Sequence, residues 1–281
     1  GGHSLLATRL ISRLNELFKI DLPLHDLFNG PTVAELAKRV DTLLKSSADL
    51  QAPPIEPVTR DMDLPLSFAQ QQLWLQAQFI PTDMPVYNEP TTLRLGGSIN
   101  VVALEQSLNE ILRRHEALRT TFTTVEGQPV QIISQPRALD LRKVDLRDFP
   151  EHERENEYLR LATEEAQQPF DLTKGPLLRA TLMQLDNKDY RLFTTLHHII
   201  FDGVSLMTVI LPELEKLYMA FSSGQTSPLT KLPLQYVDYA NWQRQWLQGK
   251  VLDQQLTYWK KQLVDLPTLQ LPTDHPRPAI Q

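Results

Sequence analysis

The stretch from Ser46 to Pro65 constrains the chain most. It carries Pro53, Pro54, Pro57 and Pro65 with few large apolar residues between them. Each proline fixes φ and removes a backbone donor, so the stretch suits neither a helix nor a central strand. It reads as a semi-rigid, extended linker that splits the 281 residues into a short N-terminal piece, 1–45, and a body from 65 onward. In the short piece, residues 5–19 place Leu6, Leu10, Leu14, Leu17 and Phe18 on one stripe, which predicts an amphipathic helix. After Asp21, Pro23 and a short loop, Asn29-Gly30-Pro31-Thr32 gives a break and an N-cap. A second helix then runs to about Leu44, with Val33, Leu36, Ala37, Val40 and Leu44 on one face. Two such helices bury too little surface to make a complete domain.

The body mixes helix and strand signals. Helical periodicity appears over 69–78, 101–114, 150–165, 205–221, 235–248 and 252–263. Strand signals appear near 91–95, 117–124, 130–134, 176–185 and 190–196, the last two flanking Asp186-Asn187-Lys188-Asp189 as an antiparallel hairpin. The tail from Leu271 to Pro278 is punctuated by prolines and reads as a connector. The opening Gly1-Gly2-His3-Ser4 has neither Met nor a signal peptide, so both ends read as cut.

Composition excludes several classes. A net charge of −6 without a basic block argues against a nucleic-acid or anionic-membrane partner. With no cysteine, a disulfide scaffold, a thiolate nucleophile and a Cys-ligated metal fall together, and a cytoplasmic setting fits. No apolar run approaches the ~18 residues a spanning helix needs.

Chemistry concentrates at His197-His198-Ile-Ile-Phe-Asp202-Gly203, where a strand ends and a helix begins. Groups on such a turn are held by rigid elements yet face solvent. Three readings compete. A metal site is disfavoured, because adjacent side chains on extended backbone point to opposite faces and no further His stands at ligand spacing. Both histidines could be satisfied by hydrogen bonds inside the fold. Alternatively, one faces a cavity as general base, which an unperturbed pKa of ~6.5 suits, while Asp202 stays buried and ion-paired and Gly203 lets the backbone turn.

The spacing His-His-x-x-x-Asp-Gly resembles the signature of condensation domains of nonribosomal peptide synthetases, in the chloramphenicol-acetyltransferase-like superfamily. Three stretches agree in order: Ser67-Phe-Ala-Gln-Gln-Gln-Leu-Trp74 with the first family motif, Arg114-His-Glu-Ala-Leu-Arg-Thr-Thr-Phe122 with the second, and Tyr236-Val-Asp-Tyr-Ala-Asn-Trp242 with the fourth. The resemblance implies an α/β sandwich lobe, a mixed sheet with helices packed on it. It makes His198 the residue nearest the reaction, orienting or deprotonating an amine that attacks a thioester, with His197 in support. It makes Asp202 structural, ion-paired to Arg114 or Arg119, and places the Gly203 N–H near a developing oxyanion. Gln72 departs from the pattern, standing where the first motif usually has Arg.

Ser4, directly before an apolar-periodic helix, reads as an N-cap. Gly-Gly-His-Ser-Leu also resembles the attachment motif of peptidyl carrier domains, with 4′-phosphopantetheine on Ser4. The two readings agree, since a helix N-terminus suits a phosphodiester. The resemblance therefore divides the chain into the C-terminal part of a carrier domain (1–45), a linker (46–64) and the N-terminal lobe of a condensation domain (65–281). The implied reaction is amide formation between two carrier-bound amino acids, of the type joining two L-residues. Implied partners are upstream and downstream carrier domains, the second condensation lobe and a phosphopantetheinyl transferase. The lobe alone is expected to be inactive. The rival readings are a coenzyme A-dependent acyltransferase and a non-catalytic lobe that only docks carriers. His3 has only its place in the carrier motif, His25, His115, His152 and His275 have no assigned role, and Trp74, Trp242, Trp246 and Trp259 read as packing residues.

Overall fold

The computed structural model describes residues 4–18, 20, 22–30, 32–47, 52–81, 83–267, 269 and 271–276, with backbone only at 4–6, 8, 9 and 45–47. They form two compact units. One is 55–245; the other gathers 1–54 with 246–281.

In the smaller unit, helices α1 (Ser4–Phe18), α2 (Leu24–Asn29) and α3 (Val33–Ser47) precede α10 (Gly249–Gln262). The short α2 stands where the sequence predicted a loop. Its neighbours bury Ile11, Ile20, Leu22 and Val40, with Leu14, Leu27 and Leu36 packed on them. The expected stripe is therefore rotated: Leu10, Leu17 and Val33 are exposed and Ile11 takes the buried position. Asn15 fixes the α1–α2 connection, its amide donating to the Leu22 carbonyl and its carbonyl accepting the Leu22 N–H at 2.8 Å. The predicted role of Gly1, Gly2 and His3, and of the Ser4 side chain as a cap, lies outside the described residues.

The larger unit runs β1 (Leu64–Pro65), α4 (Phe68–Ala77), β2 (Asn88–Gly96), α5 (Val101–Arg114), a 3-10 turn (Glu116–Arg119), β3 (Thr120–Val125), β4 (Gln128–Ile133), β5 (Leu141–Asp145), α6 (Glu151–Ala166), β6 (Leu178–Asp186) and β7 (Asp189–His197). A single turn, α7 (Gly203–Ser205), then passes through a π-helical stretch (Leu206–Ile210) into α8 (Leu211–Ser222), and α9 (Tyr236–Trp246) follows. The expected hairpin is β6–β7, the centre of a four-stranded sheet ordered β2-β7-β6-β5. In it β5 is parallel to β6 and the other pairs are antiparallel. This is the mixed α/β sandwich that the resemblance implies. A second sheet is ordered β1-β4-β3; β3 and β4 answer the strand signals near 117–124 and 130–134, whereas the two-residue β1 had none. Its β3–β4 turn uses Glu126 and Gly127, both at positive φ (49° and 78°), where Gly127 avoids the cost a side chain pays. The core joins Phe122, Leu177, Leu192 and Leu217, all nearly inaccessible, across strands and α8.

Half of the expected linker belongs to this body. The carboxylate of Asp238, 1% exposed, accepts the Val58 N–H at 3.0 Å, the Arg60 guanidinium at 2.8 Å and the Gln235 N–H at 2.7 Å. Arg60 also reaches Glu116 at 2.9 Å. A proline-rich segment supplies few backbone donors, and here one of them, the Val58 N–H, is taken by a buried acid 180 residues away.

Burial would push the Asp238 carboxyl up, but the bonds from Arg60, Val58 and Gln235 outweigh it and hold it below 3.8. Its contribution to stability is therefore present above the unfolded value and is lost as pH falls through the folded one. Asp238→Asn turns an acceptor into a donor facing donors, and should cost ~1–3 kcal/mol, read as a lower urea midpoint at pH 7. The gap between variant and parent should narrow below pH 3.8.

Candidate active site

The reactive segment hangs from the end of β7. The His198 N–H donates to the Tyr87 carbonyl at 2.9 Å, and the His197 N–H to the Leu177 carbonyl at 3.1 Å. Extended backbone then sends the two rings to opposite sides, so they line different cavities. Among the described residues, no group of three His, Cys, Asp or Glu side chains could hold a metal ion.

His197 is buried against a cavity of about 470 Å³, between the rings of Tyr87 (5.9 Å) and Phe170 (6.3 Å). Its Nδ1 accepts the Ile199 N–H at 3.2 Å, so the neutral ring carries its proton on Nε2. Burial, helped by the charge of His198, pulls its pKa down to about 4.

His198 is half-buried and faces a second cavity of about 330 Å³. Its Nδ1 lies 3.2 Å from the Phe201 carbonyl. A carbonyl only accepts, so Nδ1 is the protonated nitrogen and Nε2 holds the free lone pair. That is the tautomer a base needs.

Asp202 departs from expectation. It is exposed and pairs with neither Arg114 nor Arg119. Its carboxylate accepts the Ser205 N–H at 2.7 Å, and the Ser205 hydroxyl accepts the Asp202 N–H at 3.0 Å, a capping box on α7. The Ser205 N–H first, then the remaining local bonds and nearby His198, hold its carboxyl low. The arginines are occupied elsewhere. Arg114 pairs with Glu213 of α8 at 2.9 Å, and Glu213 also meets His115 Nε2 at 2.7 Å. Arg119 lies 3.6 Å from Glu116 and bonds the Ser134 carbonyl. Glu213, 99 positions from Arg114, is a partner that no local pattern could reveal.

Gly203 is not a strained hinge. Its φ is ordinary, and an added Cβ would meet nothing within 4 Å. The glycine leaves space open beside the turn. Gln72 is exposed and lines neither cavity.

The structure also brings in residues to which the sequence assigned no role. Gln70, 3% exposed, accepts the Ser67 N–H and donates to Gln131 at 3.3 Å and to the Ile199 carbonyl at 3.5 Å. Gln131 donates onward to the Pro65 carbonyl at 2.8 Å. Tyr236 lines the His198 cavity with its hydroxyl 2.9 Å from Ser67 Oγ, and burial raises its pKa. His115 lines the same cavity. Gln70, Tyr236 and His115 all stand in the motif stretches, which was the available signal.

Residues 60–281 match the family model for the condensation domain, and residues 1–40 that for the phosphopantetheine attachment site. The chain belongs to the condensation-domain family, with a phosphopantetheine attachment segment ahead of it. It is 50% identical over its whole length to a linear gramicidin synthase of Brevibacillus parabrevis and 47% to malpinin synthetase of Mortierella alpina, spanning 4% of each. Among solved structures it resembles the X-domain from teicoplanin biosynthesis (TM-score 0.69, 33% identity), covering 81% of this chain and 49% of that one. The starter condensation domain of rhizomide synthetase (TM-score 0.66, 24% identity, 74% and 49% covered) shares the fold. For the attachment group, Ser4 opens a 15-residue helix whose first turn has no acidic residue, which fits a phosphodiester there.

Two outcomes are expected. Because the folded pKa of His197 lies below 6.5, folding favours its neutral form. That stability is present above pH 6.5 and is lost as pH falls toward 4, roughly 3 kcal/mol in all. An imidazole NMR titration should find His197 still neutral at pH 5, and a midpoint near 6.5 would contradict its burial. Gly203→Ala should leave the unfolding free energy from a urea titration within about 0.5 kcal/mol of the parent.

Proposed function

We propose that this chain forms amide bonds in a nonribosomal peptide synthetase, with His198 as the group that acts on the attacking amine. The observation that carries the reading is the His198 tautomer: Nδ1 is spent on the Phe201 carbonyl, and Nε2 carries a lone pair in a cavity. Phosphopantetheine on Ser4 supplies a thiol that holds an aminoacyl or peptidyl group as a thioester. The amine of the next carrier-bound amino acid attacks that thioester carbonyl; a C–N bond forms and the C–S bond breaks. Nε2 orients the amine, takes the proton the nitrogen sheds, and returns it to the departing thiolate. The Gly203 N–H, without a protein partner among the described residues, is free to meet the carbonyl oxygen as charge grows there. His197, Asp202, Arg114 and Arg119 hold the turn and its surroundings and touch no substrate.

The partners follow from this chemistry. Carrier domains upstream and downstream present the two thioesters, a phosphopantetheinyl transferase loads Ser4, and a second lobe completes the cleft over His198. The carrier-type segment ahead of the lobe, with Tyr87-Asn88-Glu89-Pro90 beside the first motif, supports a reaction between two L-residues. The cysteine-free composition suits a cytoplasmic setting.

In the synthetase module that carries this chain, His198→Ala should slow amide formation by about 10²–10⁴-fold, with a loss of no more than ~1 kcal/mol of unfolding free energy for the missing bond to the Phe201 carbonyl. Ser4→Ala should abolish the mass increment from phosphopantetheinylation. Undiminished product with His198→Ala, or turnover of free acyl-coenzyme A without any carrier, would overturn the proposal.

A further inference from the structure

We infer that the cavity beside His198 is a side-chain pocket that selects acceptor amino acids with uncharged, apolar side chains of leucine size or larger. The inference rests on the amide-forming reading above, which places the acceptor's amine at His198 Nε2 and so its side chain within reach of that cavity.

The walls come from four separate elements: Leu73 from α4, Leu118 from the 3-10 turn, Val209 and Ile210 from the π-helical stretch, and Leu232 with Leu234 from the segment before α9. The π-helical stretch matters here. Five residues wound at a wider pitch interrupt the helix that starts at the reactive turn, and such irregularities recur at functional sites. This one contributes two adjacent branched side chains to the same cavity.

Polar groups at the cavity are already used by the protein. Gln235 accepts the Glu116 N–H and donates to the Arg114 carbonyl, each at 3.0 Å. Gln70 is spent on Ser67, Gln131 and Ile199; Tyr236 on Ser67; and Ser205 on Asp202. The charge of Glu213 behind His115 is balanced by Arg114. The carboxylate that remains, Asp202, is exposed on the turn and capped by Ser205. An ammonium in the cavity meets only the carboxylate of Asp202, which is exposed and so screened by water. Among the described residues a carboxylate meets no unpaired cation, and between the apolar walls either group would lose its water, which is strongly unfavourable.

Size points the same way. An apolar protein cavity of ~150 Å³ accommodates benzene, and this one, at about 330 Å³, has room for an isobutyl, benzyl or indolylmethyl group. Each methylene moved from water into such a site favours binding by ~0.8 kcal/mol, so an alanyl side chain gains far less than a leucyl one.

The test uses stable pantetheine amides of L-alanine, L-leucine, L-phenylalanine, L-lysine and L-aspartate as probes, titrated into the 281-residue chain and followed by methyl NMR. The leucyl and phenylalanyl probes should bind at least tenfold more tightly than the other three and should move the Leu73, Val209 and Ile210 methyl signals. Val209 is 37% exposed, so Val209→Trp can fill the pocket without burying new surface in the core. It should erase the leucyl preference and leave alanyl binding unchanged. Val209→Asp should instead raise lysyl affinity severalfold. Lysyl or aspartyl binding as tight as leucyl, or a preference untouched by Val209→Trp, would overturn the inference. His198→Ala separates the two readings. It should stop amide formation in the module and weaken all five probes alike, so that the leucyl-to-alanyl affinity ratio in the chain persists. Persistent amide formation would sink the catalytic reading, whereas a lost preference under Val209→Trp alone concerns the pocket.

Discussion

The hydrogen bond from the His198 N–H to the Tyr87 carbonyl, 2.9 Å long, sets the position of everything reactive in this lobe. It extends the β2–β7 pairing one residue past the point where the strand gives way to the turn. Tyr87 and His198 are thereby fixed to each other, and the pleat sends His197 to one cavity and His198 to the other. Were the register to slip by one residue, the two rings would exchange sides. The continuous nine-residue pairing from Asn88–His197 to Gly96–Asp189 resists such a slip.

Behind the turn lies a buried polar frame. Gln70 and Gln131 link the start of α4, the small sheet and the Ile199 carbonyl, and the Ser67 hydroxyl extends the frame to Tyr236. Buried amides are costly unless their bonds are made, and here both find partners. The frame ties the first and fourth motif stretches to the histidine turn, although Ser67 and Tyr236 are 169 positions apart in the chain. Motifs that look independent along the sequence thus converge on one small volume.

Much of this was legible beforehand. The helices at 101–114 and 150–165, the 186–189 hairpin and the divergence of the two histidines all followed from periodicity and strand geometry, which are local. What escaped depends on distant partners. β5 is short and parallel, and a parallel strand has no hairpin to announce it. The second half of the proline-rich segment looked like a free connector because its anchor, Asp238, lies beyond nearly the whole lobe. The pairing of Asp202 failed for the same reason in reverse: Arg114 was spoken for by Glu213, while Ser205, three residues on, met the acid's need locally. Ile11 replaced Leu10 at the carrier-like core because a stripe read from sequence fixes the helical period more firmly than its phase.

The turn from His197 to Ser205 satisfies itself almost entirely. The His197 ring takes the Ile199 N–H, the His197 carbonyl takes the Ile200 N–H, the Phe201 carbonyl takes the His198 ring, and Asp202 and Ser205 cap each other. Such a unit asks little of its surroundings beyond a strand to leave and a helix to enter. Its geometry is therefore set by its own residues rather than by the side chains packed around it.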